Sequence, residues 1–184
     1  MARPTGAWHT LGMGRVLVAL ALIVGLARAS AAAPASTTLA EHLRARAHDR
    51  AIRADVLGWH HTMANGCVAY ASTALRHVGV AVPERGIIDG DGVSRLTRGF
   101  VRFLEGDLGW RRVTDPRALR PGDLLFTTDV ACCPGYPAHV FVFLGWHDRR
   151  RRIARIADNT GYRKARPLAA GRGRDGFAFA LRSP

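Results

Sequence analysis

Near residue 110 the apolar pattern of this 184-residue chain changes its period, and the change limits the fold to helices followed by a sheet. Before it, Thr38 and Glu41 have capping-box spacing, and Leu39, Leu43, Ala47 and Ala51 recur every four residues. That spacing predicts a helix over 39–57, ended by Gly58. A second helix is expected from Cys67 to His77, with Ala71, Ala74, Leu75 and Val78 on one face and Gly79 as its stop. A third, over 93–104, follows from Val93, Leu96, Phe100, Phe103 and Leu104. After Trp110 the segments 110–113, 123–128, 138–146, 153–158 and 177–182 are short, rich in aromatic or β-branched residues, and punctuated by Pro, Gly and Asp. An antiparallel sheet is the natural product, and the class is α+β.

The first 33 residues stand outside this pattern. Arg3 and Arg15 precede a twelve-residue apolar run, Val16 to Ala27, which is short of the ~18–20 residues that span a bilayer. Small residues follow through Ala33, with A-x-A-like triplets ending at Ala29, Ala31 and Ala33, so the segment reads as a signal peptide with several possible cuts. Residues 34–184 are then one domain with no membrane span, secreted or periplasmic. Removing Arg3, Arg15 and Arg28 leaves 24 cations against 14 anions, about +10. Only Lys164 among the cations is lysine, so anion contacts fall to arginine, whose planar fork suits carboxylates and phosphates. Hydrophobic residues at 48% and charged residues at 22% exclude wholesale disorder. Three cysteines are too few for a disulfide scaffold and lack the paired spacing of a zinc ribbon.

One cysteine and one histidine carry the chemistry. Cys67 lies at an expected helix start, where unsatisfied N–H groups and the helix dipole favour thiolate over thiol. Gly66 before it permits close backbone approach. His139 opens the strand His139-Val140-Phe141-Val142-Phe143-Leu144, at a strand end from which its ring reaches a packed helix as a general base. A polar group must orient the imidazole, and Asp158 and Asn159 end the neighbouring strand. Alternation puts the two on opposite faces while the strand lasts. Asp158 is preferred because a carboxylate also stabilises imidazolium; Asn159 stays open. Trp59, His60, His61 and Asn65 precede the nucleophile, either lining the cleft or packing the loop, with an oxyanion donor beside the Cys67 N–H as one role.

The order of these features resembles a family. Cys67-x-x-Tyr70 and its helix, Gly79-Val80-Ala81-Val82-Pro83, the segment Leu119-Arg120-Pro121-Gly122-Asp123-Leu124-Leu125-Phe126, and Ala138-His139-Val140 before Gly145 are similar to the papain-like cell-wall hydrolases of the NlpC and CHAP type. The resemblance covers roughly residues 60–160. It implies a papain-like fold with Cys67 as nucleophile and His139 as base. It also implies a cysteine amidase or endopeptidase that cleaves amide bonds of peptidoglycan stem peptides, with no cofactor and no metal. Gly66 and Val68 stand where NlpC members usually carry Asp and Ser, and Asp158-Asn159 is closer to the CHAP third member than to the usual NlpC histidine.

Two features lie outside that chemistry. Adjacent Cys132 and Cys133 suit a vicinal disulfide or links to other chains after export, and fit one tetrahedral zinc poorly. Arg149-Arg150-Arg151-Arg152 between two strands reads as a solvated hairpin tip, either plain surface or a site for an anionic wall polymer. The other class of reading is an exported basic binding protein for such a polymer or a nucleic acid, without catalysis. Charge fits it equally, but it needs no nucleophile. Peptidoglycan or another cell-wall peptide is the expected partner, and nucleic acid is not.

Overall fold

The computed structural model describes residues 33–83, 96–168 and 176–184. The segment up to residue 32, where a signal peptide is expected, and the expected start of the third helix at Val93 lie outside the described residues. Among the described residues four α-helices precede a six-stranded antiparallel sheet: α1 (Ala35–His42), α2 (Arg46–His60), α3 (Cys67–His77) and α4 (Thr97–Arg102), then β1 (Arg111–Val113), β2 (Leu124–Thr127), β3 (Val140–Asp148), β4 (Ile153–Asp158), β5 (Gly161–Pro167) and β6 (Phe177–Arg182). The sheet order is β1-β6-β2-β3-β4-β5. No helix among the described residues is long and apolar enough to cross a membrane.

The helix expected over 39–57 is two helices. Pro34 rather than Thr38 stands before the first, and Thr38 lies inside it, returning its hydroxyl to the Pro34 carbonyl. The chain turns at Leu43-Arg44-Ala45, where the Tyr162 hydroxyl from β5 donates to the Leu43 and Arg44 carbonyls at 2.7 and 3.1 Å. A tertiary donor thus satisfies groups that a continuous helix would have bonded itself. Residues 97–104 are helical as expected, but α4 passes at Phe103 into a π-helical turn, Phe103–Asp107. The strand β5 was not expected from its sequence. Arg163, Lys164, Arg166 and the terminal Pro167 give it no alternating apolar pattern, and it is an edge strand, where charge and proline are tolerated because they discourage further pairing.

α3 is the buried centre, with every residue from Val68 to Leu75 inside. Leu124, Phe126, Val140, Val142, Ala157, Phe179 and Leu181 carry one sheet face onto the helices. Alternation sends Leu125, Phe141, Phe143, Ala154, Ile156 and Ala180 to the other face, under Leu119 and Leu168. The central strand β2 is therefore buried on both sides.

The Pro121-Gly122-Asp123 turn locks these layers. Gly122 has φ +92°, and a Cβ there would overlap the Ser36 carbonyl of α1. Its N–H donates to Phe143 O at 2.7 Å. Asp123 is fully buried and takes both Nε and Nη2 of Arg182 at 2.8 and 2.7 Å, while its Oδ2 accepts the Arg120 N–H. Ser36 and Ser183 exchange N–H and hydroxyl bonds of 2.9 and 3.1 Å, fastening α1 to the residue after β6. Gly122→Ala is expected to lower stability by about 3 kcal/mol or more, because left-handed strain and backbone overlap combine. Gly109→Ala, at φ +66° with open space around its Cβ, should cost only about 1–2 kcal/mol. Urea unfolding midpoints of the two variants check the difference.

Candidate active site

Cys67 is the first residue of α3, and Gly66 stands at its N-cap. A Cβ at Gly66 would press on the Met63 carbonyl at 3.2 Å and the His60 ring at 3.4 Å, so the helix start is set tightly into the preceding loop. Asn65 in that loop has φ +54°, a left-handed conformation that asparagine tolerates through its short polar side chain. Across from Cys67, His139 precedes β3 and is 5% exposed.

His139, Cys67 and Asp158 form one connected line. His139 Nε2 is 2.9 Å from Asp158 Oδ2, and a side-chain hydrogen bond joins Cys67 to His139, which leaves Nδ1 as the ring nitrogen facing sulfur. Burial raises the Cys67 pKa. The His139 bond and charge, with the N–H groups of Val140 and Val68, outweigh burial and hold it below the ordinary thiol value. The Val68 N–H is a free donor of the first turn of α3, so the helix terminus acts directly on sulfur. Burial lowers the His139 pKa, but bonds to Asp158 and Cys67 reverse this and raise it. For Asp158 burial raises the pKa, and the bonds from His139 and Thr160 bring it below the usual carboxylate range. Each shift thus runs toward the charged form: thiolate, imidazolium and carboxylate.

Asp158 is held by its own turn. Its Oδ1 accepts the Thr160 N–H at 2.7 Å, the Thr160 hydroxyl at 2.8 Å and the Gly161 N–H at 3.0 Å. Arg166 lies 3.9 Å from Oδ2. Behind the turn, Arg53 of α2 donates to the Asp158 and Asn159 carbonyls at 2.6 and 3.2 Å and to Asp49 Oδ2 at 2.9 Å. Tyr70 of α3 donates its hydroxyl to Asp49 Oδ1 at 2.7 Å. Burial and the Asp49 charge push the Tyr70 phenol upward, which keeps it a donor.

Of the two residues ending β4, Asp158 faces His139. Asn159 opens the turn, donating Nδ2 to the Met63 carbonyl at 2.8 Å; its Oδ1 is buried without a partner among the described residues. A cleft of about 410 Å³ is lined by Cys67, His139, Asn65, Asn159, Thr160 and His60, with Leu96, Thr97 and Tyr136-Pro137-Ala138 opposite. Trp59 and His61 are not among its lining residues. The phase of α2 turns the Trp59 indole into the core, where Nε1 donates to Thr73 Oγ1 at 3.1 Å, and His61 ends the helix exposed at φ +63°. His60 takes the cleft-facing position between them. Cys132 and Cys133 are joined as a vicinal disulfide in the loop that leads to Tyr136. No group of three or more His, Cys, Asp or Glu among the described residues is placed to hold a metal ion.

Sequence reasoning missed Arg53, Asp49, Thr160 and Gly161. Asp158-Asn159-Thr160-Gly161 carries a turn signal, because aspartate readily accepts N–H groups two residues on. The Arg53 contacts reach more than a hundred residues along the chain and leave no local mark. No protein-family model, curated protein or solved structure matches the chain.

The thiol shift gives a direct test. In His139→Gln burial acts on Cys67 with less opposition, so its alkylation by iodoacetamide should move to higher pH, with wild type reacting as thiolate below the ordinary thiol range. The pH profile of the alkylation rate reads both values, and far-UV circular dichroism confirms that the variant is folded.

Proposed function

We propose that this protein is a papain-like cysteine hydrolase of the cell-wall amidase and endopeptidase type, exported and acting on peptide amide bonds of peptidoglycan. The observation that carries the reading is the line in which His139 Nε2 meets the buried Asp158 at 2.9 Å while the other ring nitrogen serves Cys67, with Cys67 and His139 opening on one cleft. A protein that only binds needs no such line. The helix-before-sheet order supports the papain-like assignment, with the sulfur at a helix start and the histidine at a strand start.

In the reaction Cys67 Sγ attacks the amide carbonyl carbon and the carbonyl oxygen gains the negative charge. The Cys67 backbone N–H, in the first turn of α3 without an intrahelical acceptor, is placed to meet that oxygen. As the tetrahedral adduct collapses, the C–N bond breaks and His139 gives its proton to the departing amine, leaving a thioester on Cys67. The now neutral imidazole takes a proton from water, hydroxide adds to the thioester, and Cys67 leaves as thiolate beside a re-formed imidazolium. Asp158 keeps its charge throughout, fixing the ring and favouring its protonated form. Residues facing the chemistry supply each proton transfer, so the cycle needs no cofactor.

Cys67→Ser and His139→Ala are each expected to abolish release of peptide or amine from purified peptidoglycan while the circular dichroism spectrum stays unchanged. Full activity in either folded variant overturns the reading. Asp158→Asn should lower kcat by about 10²–10⁴, since the amide still accepts a bond but no longer supports imidazolium. Thiolate is required above the lowered Cys67 pKa and imidazolium below the raised His139 pKa. The kcat/KM profile on a soluble stem peptide should therefore be a bell whose two limbs are macroscopic values of the pair.

A further inference from the structure

The hairpin between β3 and β4 forms a second recess, remote from Cys67. Pro116, Arg117, Trp146, Arg149, Arg150 and Arg152 line a volume of about 390 Å³. Four of the six lining residues are arginine and none is acidic. Of the Arg149–Arg152 run, only Arg151 has a carboxylate partner among the described residues, Asp148 at 3.8 Å. Arg149 Nη2 donates to the Arg117 carbonyl at 3.2 Å and ties the hairpin tip to the 3-10 turn Pro116–Ala118.

The aromatic wall is fixed. β3 changes register against β4 on both sides of Trp146, between Phe143 and Gly145 and again between Trp146 and Asp148. Bulges of this kind re-aim a side chain, and Gly145 at φ +127° supplies the backbone freedom for the first. The Trp146 ring rests edge-on against Phe143 at 5.2 Å and packs on the sheet face away from the helices. Four arginines lining one recess concentrate positive charge beside a half-buried indole, which is unfavourable in the free protein, and an anion relieves it.

We propose that this recess binds a polyol-phosphate chain, a polymer in which small hydroxylated units alternate with phosphodiesters. Arginine forks match the non-bridging phosphate oxygens, and a phosphodiester offers two of them to guanidinium groups on different sides. The C–H face of the polyol unit packs on Trp146 and Pro116. Single-stranded nucleic acid fits less well, because successive bases need successive stacking platforms and, among the described residues, Trp146 is the one aromatic side chain lining the recess. The site requires nothing of the thiol chemistry, so it stands or falls separately from the hydrolase reading.

Titration calorimetry of the full chain with poly(glycerol phosphate), at low and high salt, tests the proposal. Wild type should bind saturably and more weakly as salt rises. Arg150→Ser with Arg152→Asn, the second chosen because Arg152 has φ +54°, should weaken binding at least about tenfold and flatten its salt dependence. Trp146→Ala should weaken it while leaving the salt dependence unchanged, and Trp146→Phe, which preserves the packing on Phe143, should restore most of the loss. Cys67→Ala should bind as wild type does, whatever its activity on peptidoglycan. Unchanged affinity in the double arginine variant, with its unfolding midpoint intact, overturns the site. Equally tight binding of single-stranded DNA or polyglutamate of matched charge overturns the polyol-phosphate assignment.

Discussion

A fully buried carboxylate at the end of a central strand is the constraint around which the rest of this structure is arranged. An uncompensated charge at the Asp158 position costs several kcal/mol, so the fold must bring donors to it from several directions. Three come from the tight turn that follows, and one from His139 across the β3–β4 pair. Arg53 secures the same turn from behind by binding its carbonyls. The helices are placed by this need as much as by apolar packing. Arg53 lies on α2 and Tyr70 on α3, and both converge on Asp49, so the network that holds Asp158 also sets the helix carrying Cys67 against the sheet carrying His139.

The same arrangement explains why the sulfur is tuned rather than merely buried. A cysteine inside an apolar helix would have its pKa raised and be inert. At Cys67 burial does act in that direction, but the first turn of α3 and the start of β3 each aim an N–H at sulfur, and His139 adds a hydrogen bond and a charge. Burial works against a charge on His139, and Asp158 and Cys67 together shift the ring toward its protonated form. Each group of the line therefore shifts the next toward its reactive protonation state.

How much of this was legible in the sequence follows from the range of each interaction. Punctuation around α3, β4 and β6 is local, and Gly66, Gly79 and the strand-end Asp158 mark their limits without reference to distant residues. The break between α1 and α2 depends on Tyr162, 119 residues beyond Leu43, and no window along the chain contains that information. β5 escaped because an edge strand needs no apolar alternation. Asp49 and Arg53 have the i, i+4 spacing of many helix-surface ion pairs, a signal too common to single them out, and only the packed structure shows that they also reach inward to Tyr70 and the Asp158 carbonyl. The choice of His60 over its neighbours as the cleft-facing residue is a matter of helical phase at the last turn of α2, where His61 already leaves the helix.

The strand β3 carries His139 just before its start and Trp146 near its far end, and this separation divides the labour of the molecule. The nine residues of β3 between His139 and Arg149 span about 30 Å, several times the roughly 8 Å over which charges interact in physiological salt. The arginine run therefore contributes almost nothing to the protonation of Cys67 and His139, whose shifts come from neighbours in direct contact. In the proposed reading the net positive charge, about +10 without residues 1–33, acts instead on encounter with anionic surfaces and on retention there, effects that salt weakens without touching the chemical step. The two proposed functions can coexist on one strand because they would operate at different ranges: the Cys67–His139–Asp158 line through direct contact, and the hairpin through a field that water and ions cut off before it reaches the sulfur.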